Sequence, residues 1–342
     1  MKKWKKILII ALSVLAILVL AVALLFGNAV RTVLSLETYE AKDLYSITYY
    51  GDYGFSDFLK TGAKDWKEYD KYIRKTLVHG IASNIDVSGT QCASFIARNP
   101  EGDVLFGRNF DYTFAPVVMT ATAPSDGYAV LGASQLGFLN FGRKEKIVPH
   151  ALNIANAMTL MCPYFMTDGM NEYGVAMSVL DCGSAYLQET EGSPTMVTCS
   201  MIRAVLENSR NVEEAIEVFK SFNISKDKPN HHFMIADSSG RAVVMEYTKD
   251  GTVAVETNIV TNFDLYDPGH SGSGQDRYRK IESGLEQSNG ILTEEEVMHL
   301  LALSGVPGKN QYSVLYNLTT GEVRVMTHGD EAHAETFHLR MR

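Results

Sequence analysis

With 342 residues, 46% hydrophobic and 21% charged, the chain carries enough apolar material for one large core or two modest ones and has no disordered composition. A formal charge of -9, with no basic cluster outside the N-terminus, excludes a nucleic-acid binder, because neutralising phosphates requires a clustered Lys/Arg surface. Cys92, Cys162, Cys182 and Cys199 form no CxxC pair and no dense framework, so neither a disulfide scaffold nor a thiolate zinc site is indicated.

The chain opens with MKKWKK, followed at residues 7–26 by an apolar run in which only Ser13 is polar. As a helix that run is long enough for a bilayer core of about 30 Å, so a transmembrane anchor is expected. The flanking lysines place its N-terminal end in the cytoplasm and the rest of the chain outside. A cleavable signal peptide is the competing reading, with Gly27-Asn28-Ala29 as the cleavage site and a secreted product. Its apolar core is ordinarily about 7 to 15 residues, which favours the anchor. In an exported chain disulfides are allowed, but Cys162, Cys182 and Cys199 read as small buried hydrophobes.

Residues 30–91 form a separate segment rich in Tyr, Lys and Asp. Within it, residues 56–85 look helical for much of their length. Phe58, Leu59, Trp66, Tyr69, Tyr72 and Ile73 recur at spacings near three and four, giving an apolar stripe that needs a partner surface. No repeat or low-complexity run separates this arm from the segment beginning at Cys92, so it is expected to pack on the body.

From Cys92 onward the pattern is rich in strands. The stretch GTQCASFIARNPEGDVLFGRNFDYTF, residues 89–114, reads as a hairpin turning at Asn99-Pro100-Glu101-Gly102. Residues 169–181 read as a turn followed by a strand, and residues 231–256 as three strands joined by Ser-Ser-Gly and Lys-Asp-Gly turns. Helices are expected over about 195–208, after Asn211 with Glu214 completing a capping box, and from Thr293, whose first turn holds Glu294, Glu295 and Glu296. Residues 310–328 return to strands. Hairpins with helices grouped between them predict two layers of sheet covered by helices, an α+β arrangement and not alternating βαβ units.

Folding the hairpin brings positions 108–111 near Cys92, within two residues of register. A thiolate is the nucleophilic form of cysteine and is favoured by a nearby cation, which makes Arg108 a candidate partner and Asp111 a candidate orienting group. A buried cysteine beside an Arg–Asp salt bridge has the same local signature. No histidine is placed in the sequence to complete a papain-like pair, and His150, His231 and His232 read as surface or structural residues. A cysteine at a chain terminus would carry its own base, an α-amine with a pKa of about 7.7 to 8.0.

These residues resemble a known family. Cys92-Ala93-Ser94-Phe95, Gly102 and Phe106-Gly107-Arg108-Asn109-Phe110-Asp111 are similar to the opening of the choloylglycine hydrolase group of N-terminal-nucleophile (Ntn) amidases. That group includes bile salt hydrolases, penicillin V acylases, and the related acid ceramidase and N-acylethanolamine acid amidase. The resemblance continues through residues 169–174, the Asp237-to-Glu246 hairpin, residues 260–264, Asp276-Arg277 and residues 311–314. It covers roughly residues 90–328 and implies a four-layer αββα Ntn-hydrolase sandwich over residues 92–342, with 30–91 as a pro-segment that can remain as a small subunit; residues 1–29, the anchor or signal, lie outside it.

The same resemblance implies the roles. Cys92 is the nucleophile, freed by cleavage of Gln91-Cys92, and its amine is the base. Arg108 sits beside the sulfur, Asp111 holds the amine and the substrate amide, Asn262 donates to the oxyanion and Arg277 supports the charge network. Asp181 stands where bile salt hydrolases carry a second oxyanion asparagine; its N–H remains a donor while its carboxylate is not one. The short interval from Asn262 to Arg277 and the long segment before Cys92 resemble the ceramidase-like branch.

The expected activity is hydrolysis of a linear, non-peptide amide, with fatty N-acyl amides, bile-salt conjugates and penicillin V as substrate types and no cofactor or metal. Acyl transfer to a second amine is the rival within enzymes, and a non-catalytic membrane-anchored binding protein is the rival from another class. The oligomeric state stays open.

Overall fold

The computed structural model describes residues 3–78, 91–142, 147–227, 230–267 and 269–342, without the side chains of 3, 5, 6 and 15–25. Helix α1 (Lys3–Leu34) leads into strands β1 (Glu37–Thr38) and β2 (Leu44–Thr48) and helices α2 (Phe55–Thr61) and α3 (Trp66–Thr76). The hairpin of β3 (Gln91–Arg98) and β4 (Val104–Asp111) is next, then β5 (Val117–Thr122), β6 (Val130–Gln135), the short α4 (Ile154–Ala157), β7 (Met166–Asn171) and β8 (Ala176–Asp181). After β9 (Thr195–Met196) come α5 (Thr198–Asn208), α6 (Val212–Lys220), β10 (Asn223–Ile224), β11 (His231–Ala236), β12 (Ala242–Thr248) and β13 (Gly251–Glu256). The chain ends through β14 (Ile259–Val260), β15 (Asn262–Phe263), β16 (Gly272–Ser273), α7 (Gln275–Gln287), α8 (Glu294–Ser304), β17 (Asn310–Asn317), β18 (Glu322–Thr327) and β19 (Glu335–His338).

Two large sheets carry the body. One has nine strands in the order β1-β2-β5-β6-β7-β8-β11-β12-β13, and the other has six in the order β14-β3-β4-β17-β18-β19. Helix α5 packs on β7 and β8 and α6 on β11 and β12, while α7 packs on β3 and β14 and α8 on β4 and β17. Strand β3 faces β8 across the middle, so the layers run helix, sheet, sheet, helix. This is the expected αββα arrangement.

Alternation along β3 explains how one strand serves two cores. Side chains of successive strand residues point to opposite faces. Ala93, Phe95 and Ala97 join Ile281, Val297 and Leu301 in the core under α7 and α8. Cys92 and Ile96 belong to the larger core on the other face, and the Ser94 hydroxyl lies 2.9 Å from the Ser178 hydroxyl of the facing sheet. The cysteine therefore points between the sheets.

Several local expectations hold. The Asn99–Asp103 loop closes the β3–β4 hairpin with Asp103 N donating to Asn99 Oδ1 at 2.8 Å, and Gln91 pairs with Asp111 at the far end. Thr293 forms the full capping box with Glu296. At α6 only half of the box is made: Asn211 accepts from Glu214 N, but the Glu214 carboxylate takes the Arg210 N–H in place of that of Asn211. Residues 169–181 are the second half of a β7–β8 hairpin, with a strand ahead of the turn as well as behind it.

The N-terminal third departs from expectation. Among the described residues no helix is long and apolar enough to cross a membrane, so the span expected over 7–26 is not supported. Helix α1 is continuous from Lys3 to Leu34, and its C-terminal end runs into protein, where Thr32 and Val33 are buried. The side chains of 15–25 within that run lie outside the described residues. The amphipathic arm is built as two helices, because Gly62 takes a positive φ of 62° and Asp65 caps a new start by accepting from Glu68 N. A side chain at Gly62 would place its Cβ 2.3 Å from the Thr195 carbonyl oxygen. Residues 79–85, included in the expected arm, lie outside the described residues.

The arm's stripe has found its partner. Phe58, Tyr69 and Ile73 are buried in the large core, where the Phe58 ring meets Tyr164 in a T-shape and the Tyr69 ring packs on it at a tilt. Strand β2 adds to the nine-stranded sheet by parallel pairing with β5 from Leu44–Val117 to Thr48–Ala121. A buried polar tie joins the same segment to α5: Tyr53 donates to Glu207 and accepts from Arg203.

Candidate active site

Cys92 is fully buried near the start of β3, opposite Phe110 and two residues in register from the Ser94–Arg108 pair. Three of its groups are engaged. Its N–H donates to Asn262 Oδ1 at 2.7 Å, its carbonyl accepts from Arg277 Nη1 at 2.6 Å, and its sulfur accepts from the Arg108 guanidinium. Burial pushes the thiol up from its ordinary value, and the Arg108 charge pulls against that.

Alternation along β4 sorts the motif that closes the hairpin. Phe106, Arg108 and Phe110 face the other sheet, whereas Asn109 faces α8, donating to Leu301 O at 2.8 Å and accepting from the Ser313 hydroxyl at 2.6 Å. Asn109 is thus a structural anchor for α8. Arg108 is fully buried, with Nη1 on Asn109 O at 2.8 Å, Nη2 on Val179 O at 2.7 Å and Nε on Asp168 Oδ2 at 3.3 Å.

Asn262 sits on β15 directly after the short strand that pairs with β3, which puts its side chain beside Cys92. Its Oδ1 also accepts from Arg277 Nη2 at 2.7 Å, and its Nδ2 donates to the Asp181 carbonyl at 2.7 Å. Arg277 reaches this point from the first turn of α7, which starts at Gly274 with φ 91°. A Cβ at Gly274 would stand 2.6 Å from Arg277 Nη2, so only glycine leaves room for that guanidinium. The sequence patterning did not reveal α7, although Arg277 itself was picked out by its motif.

Asp111 Oδ1 accepts from Val306 N and Asn310 Nδ2, both at 3.1 Å, while Oδ2 takes no hydrogen bond among the described residues and lies 3.7 Å from Arg277 Nη1. Burial pushes this carboxyl up, against the pull of those donors and of Arg277. Asp181 closes β8 with its carboxylate 3.1 Å from His231 Nε2 and partly exposed. The structure therefore brings Cys92, Arg108, Asp111, Asp181, Asn262 and Arg277 into one connected cluster.

Two of the histidines lie away from the sulfur. His232 is buried, with Nε2 donating to Thr261 O at 2.7 Å and Nδ1 3.0 Å from Glu246 Oε1, which holds the residue before Asn262 in place. His150 is exposed and its Nδ1 lies 2.9 Å from Leu34 O.

The residue that sequence reading missed is Asp168. It is fully buried on β7, next to the motif beginning at Gly169, and accepts from the Tyr312 and Tyr316 hydroxyls as well as from Arg108. A cavity of about 220 Å³ is lined by Ser184, Asp264, Glu246, Tyr186 and Tyr266 among others, and none of the six cluster residues lines it. Ser184 and Asp264 tie the loops after Asp181 and Asn262 together, with Gly183 N and Ser184 N donating to Asp264 Oδ1 at 2.9 and 3.1 Å.

The family model for linear amide C-N hydrolases, choloylglycine hydrolase family, matches residues 92–273, more than half of the chain. A bile salt hydrolase/transferase from Clostridium perfringens is 28% identical over 188 residues, covering 52% of this chain and 54% of that protein. The chain thus spans about half the length of the curated relative that it matches. Two crystal structures of variants of the conjugated bile acid hydrolase from Clostridium perfringens share the fold. They have TM-scores of 0.50 and 0.52 at 19% and 17% identity, each covering 72% of this chain and 92% of the other. With the αββα layers and the Cys92 cluster in place, the chain belongs to the choloylglycine hydrolase family of linear amide C-N hydrolases.

Proposed function

We propose that this protein hydrolyses a linear, non-peptide amide through Cys92, after cleavage of Gln91-Cys92 makes that residue a new N-terminus. The observation that carries the reading is the surround of Cys92. Arg108 holds the sulfur, Asn262 and Arg277 hold the main-chain N–H and carbonyl, and Asp111 is buried alongside with one oxygen unfilled among the described residues. Once the peptide bond is cut, the Cys92 nitrogen becomes an amine beside hydrogen-bond acceptors, which suits a general base.

In the first step the amine takes the thiol proton and the sulfur attacks the acyl carbon, with Asn262 Nδ2 and the Asp181 N–H as donors to the oxyanion. The C–N bond breaks as the ammonium returns its proton to the leaving amine, giving an acyl thioester. Water, deprotonated by the same amine, then releases the acid and restores the thiol.

Residues 30–78 are proposed to stay attached as a small subunit after cleavage, since β2 is a strand of the central sheet and Phe58 and Tyr69 are buried in its core. The substrate is an N-acyl amide. Asp181 adds a carboxylate at the rim, which disfavours an anionic amine part such as that of a bile-salt conjugate. Fatty N-acyl amides fit this charge better. A second reading, acyl transfer to another amine, is supported by the hydrolase/transferase relative.

N-terminal sequencing and intact mass of the purified chain test the proposal, followed by a panel of N-acyl amides with and without competing amines. Cleavage at Gln91-Cys92 and loss of turnover in Cys92→Ser are expected. An intact chain whose activity survives Cys92→Ser would overturn the mechanism.

A further inference from the structure

The Arg108 guanidinium hydrogen-bonds the Cys92 sulfur and its charge pulls the thiol down, so the contacts that hold Arg108 bear on the thiol. Its two carbonyl contacts are short, at 2.8 and 2.7 Å, whereas its contact to Asp168 is a single Nε bond at 3.3 Å. The carboxylate is drawn the other way. Tyr316 donates to Oδ1 at 2.7 Å, Tyr312 donates to Oδ2, and the Thr167 hydroxyl lies 3.4 Å from Oδ2.

Both phenols are locked in place. The Tyr312 ring stacks on Phe110 at 5.3 Å and the Tyr316 ring packs on Phe106 at 6.3 Å. Phe106 and Phe110 flank Arg108 on the same face of β4, so strand β17 clamps the residues on either side of the arginine and the counter-ion behind it.

We propose that Asp168, capped by the Tyr312 and Tyr316 hydroxyls, is a positioning residue that fixes the Arg108 guanidinium against the Cys92 sulfur and sets how readily that thiol ionises. The assignment rests on the reading of Cys92 as nucleophile. Asp168 neutralises part of the Arg108 charge, which alone would hold the thiol up. The tyrosines draw that carboxylate charge away, leaving more of the cation for the sulfur. In a dry site such competition is strong, because solvent does not screen it.

The other charged groups around the sulfur are Asp111 on β4, Asp181 on β8 with its partner His231 on β11, Arg277 on α7, and the new α-amine of Cys92 itself. These stay constant when Asp168 or Tyr316 is changed, so their contribution cancels in a comparison of variants.

The test measures iodoacetamide alkylation of Cys92 against pH on the mature full chain, read by intact mass, with Cys92→Ala as background. The background thiols are Cys162 and Cys199, which burial pushes up to about 12, and the partly buried Cys182, which burial also pushes up. In Asp168→Asn the guanidinium loses its competing anion, so the alkylation midpoint falls by about one pH unit, a tenfold gain in rate at fixed acid pH.

In Tyr316→Phe the carboxylate turns back toward Arg108 and the midpoint rises. Opposite shifts support the assignment; unmoved midpoints, or shifts of one sign, overturn it. If Asp168→Asn does not fold, Tyr316→Phe decides alone by rising or not. A wild-type chain left uncleaved, with Cys92 unreactive at every pH, overturns the nucleophile reading and this assignment with it. A cleaved and active wild type with unmoved variants overturns only the role of Asp168.

Discussion

Replacing Tyr53 by phenylalanine tests whether the segment before Cys92 is an integral part of the body. The Tyr53 hydroxyl is buried between two charged groups of α5, donating to Glu207 and accepting from Arg203. Arg203 Nε also lies 2.6 Å from Glu207 Oε1, at an angle short of a hydrogen bond, and its Nη2 donates to the Thr122 hydroxyl at 2.5 Å. The phenylalanine ring keeps the packing under the Arg203 guanidinium, whose carbon lies 4.9 Å from the Tyr53 ring centroid, so the change isolates the hydroxyl. Hydrogen bonds to charged groups contribute about 1.5 to 3 kcal/mol each, and two that share one hydroxyl are not additive.

The expected loss is therefore about 2 to 3 kcal/mol in urea unfolding at pH 7. Tyr72→Phe supplies the comparison: its hydroxyl donates to the neutral Gly54 carbonyl at 2.7 Å and is half-buried, so its loss should be nearer about 1 kcal/mol. After cleavage at Gln91-Cys92, Tyr53→Phe should also release the N-terminal fragment more readily on gel filtration. A Tyr53→Phe protein no less stable than Tyr72→Phe would refute the reasoning.

Asn262→Ala removes the amide that bridges Cys92 N, Arg277 and Asp181 O; kcat on the best amide is expected to fall about 100- to 1000-fold, and a fall below about tenfold would dismiss its oxyanion role. Gly62→Ala forces a Cβ within 2.3 Å of the Thr195 carbonyl at a positive φ, and should lower stability by about 1 to 3 kcal/mol in the same urea assay. Glu246 is pushed up by burial, but the hydrogen bonds from His232 and from the Leu265 and Tyr266 N–H groups outweigh this and hold its carboxyl below the ordinary range. Its folded value is thus depressed, so the stability it adds is full above the unfolded value of about 4.3 and is lost as pH falls through the lower folded value. The stability gap between wild type and Glu246→Gln should therefore narrow between about pH 5 and pH 3, and a gap constant with pH would contradict the linkage.

Features that short-range rules control were legible in the sequence. The β3–β4 hairpin, the three strands from 231 to 256 and the capped start of α8 arise from turn residues, two-residue alternation and an N-cap three positions from its glutamate. The motif around Cys92, Arg108 and Asp111, with Asn262 and Arg277 further on, was legible as a family pattern. Helix α7 was not, because only Arg277 and Ile281 of QDRYRKIESGLEQ are buried, too few to show a helical stripe.

Tertiary structure alone decided the rest. Which face of β4 meets the cysteine depended on the second sheet, and that choice made Arg108 a partner of the sulfur and Asn109 an anchor of α8. Asp168 acquires its place from tyrosines 144 and 148 residues further along, and Tyr53 meets Arg203 across 150 residues. Such contacts leave no periodicity in the sequence, because the residues become neighbours only when the sheets stack and exclude water from the charges between them.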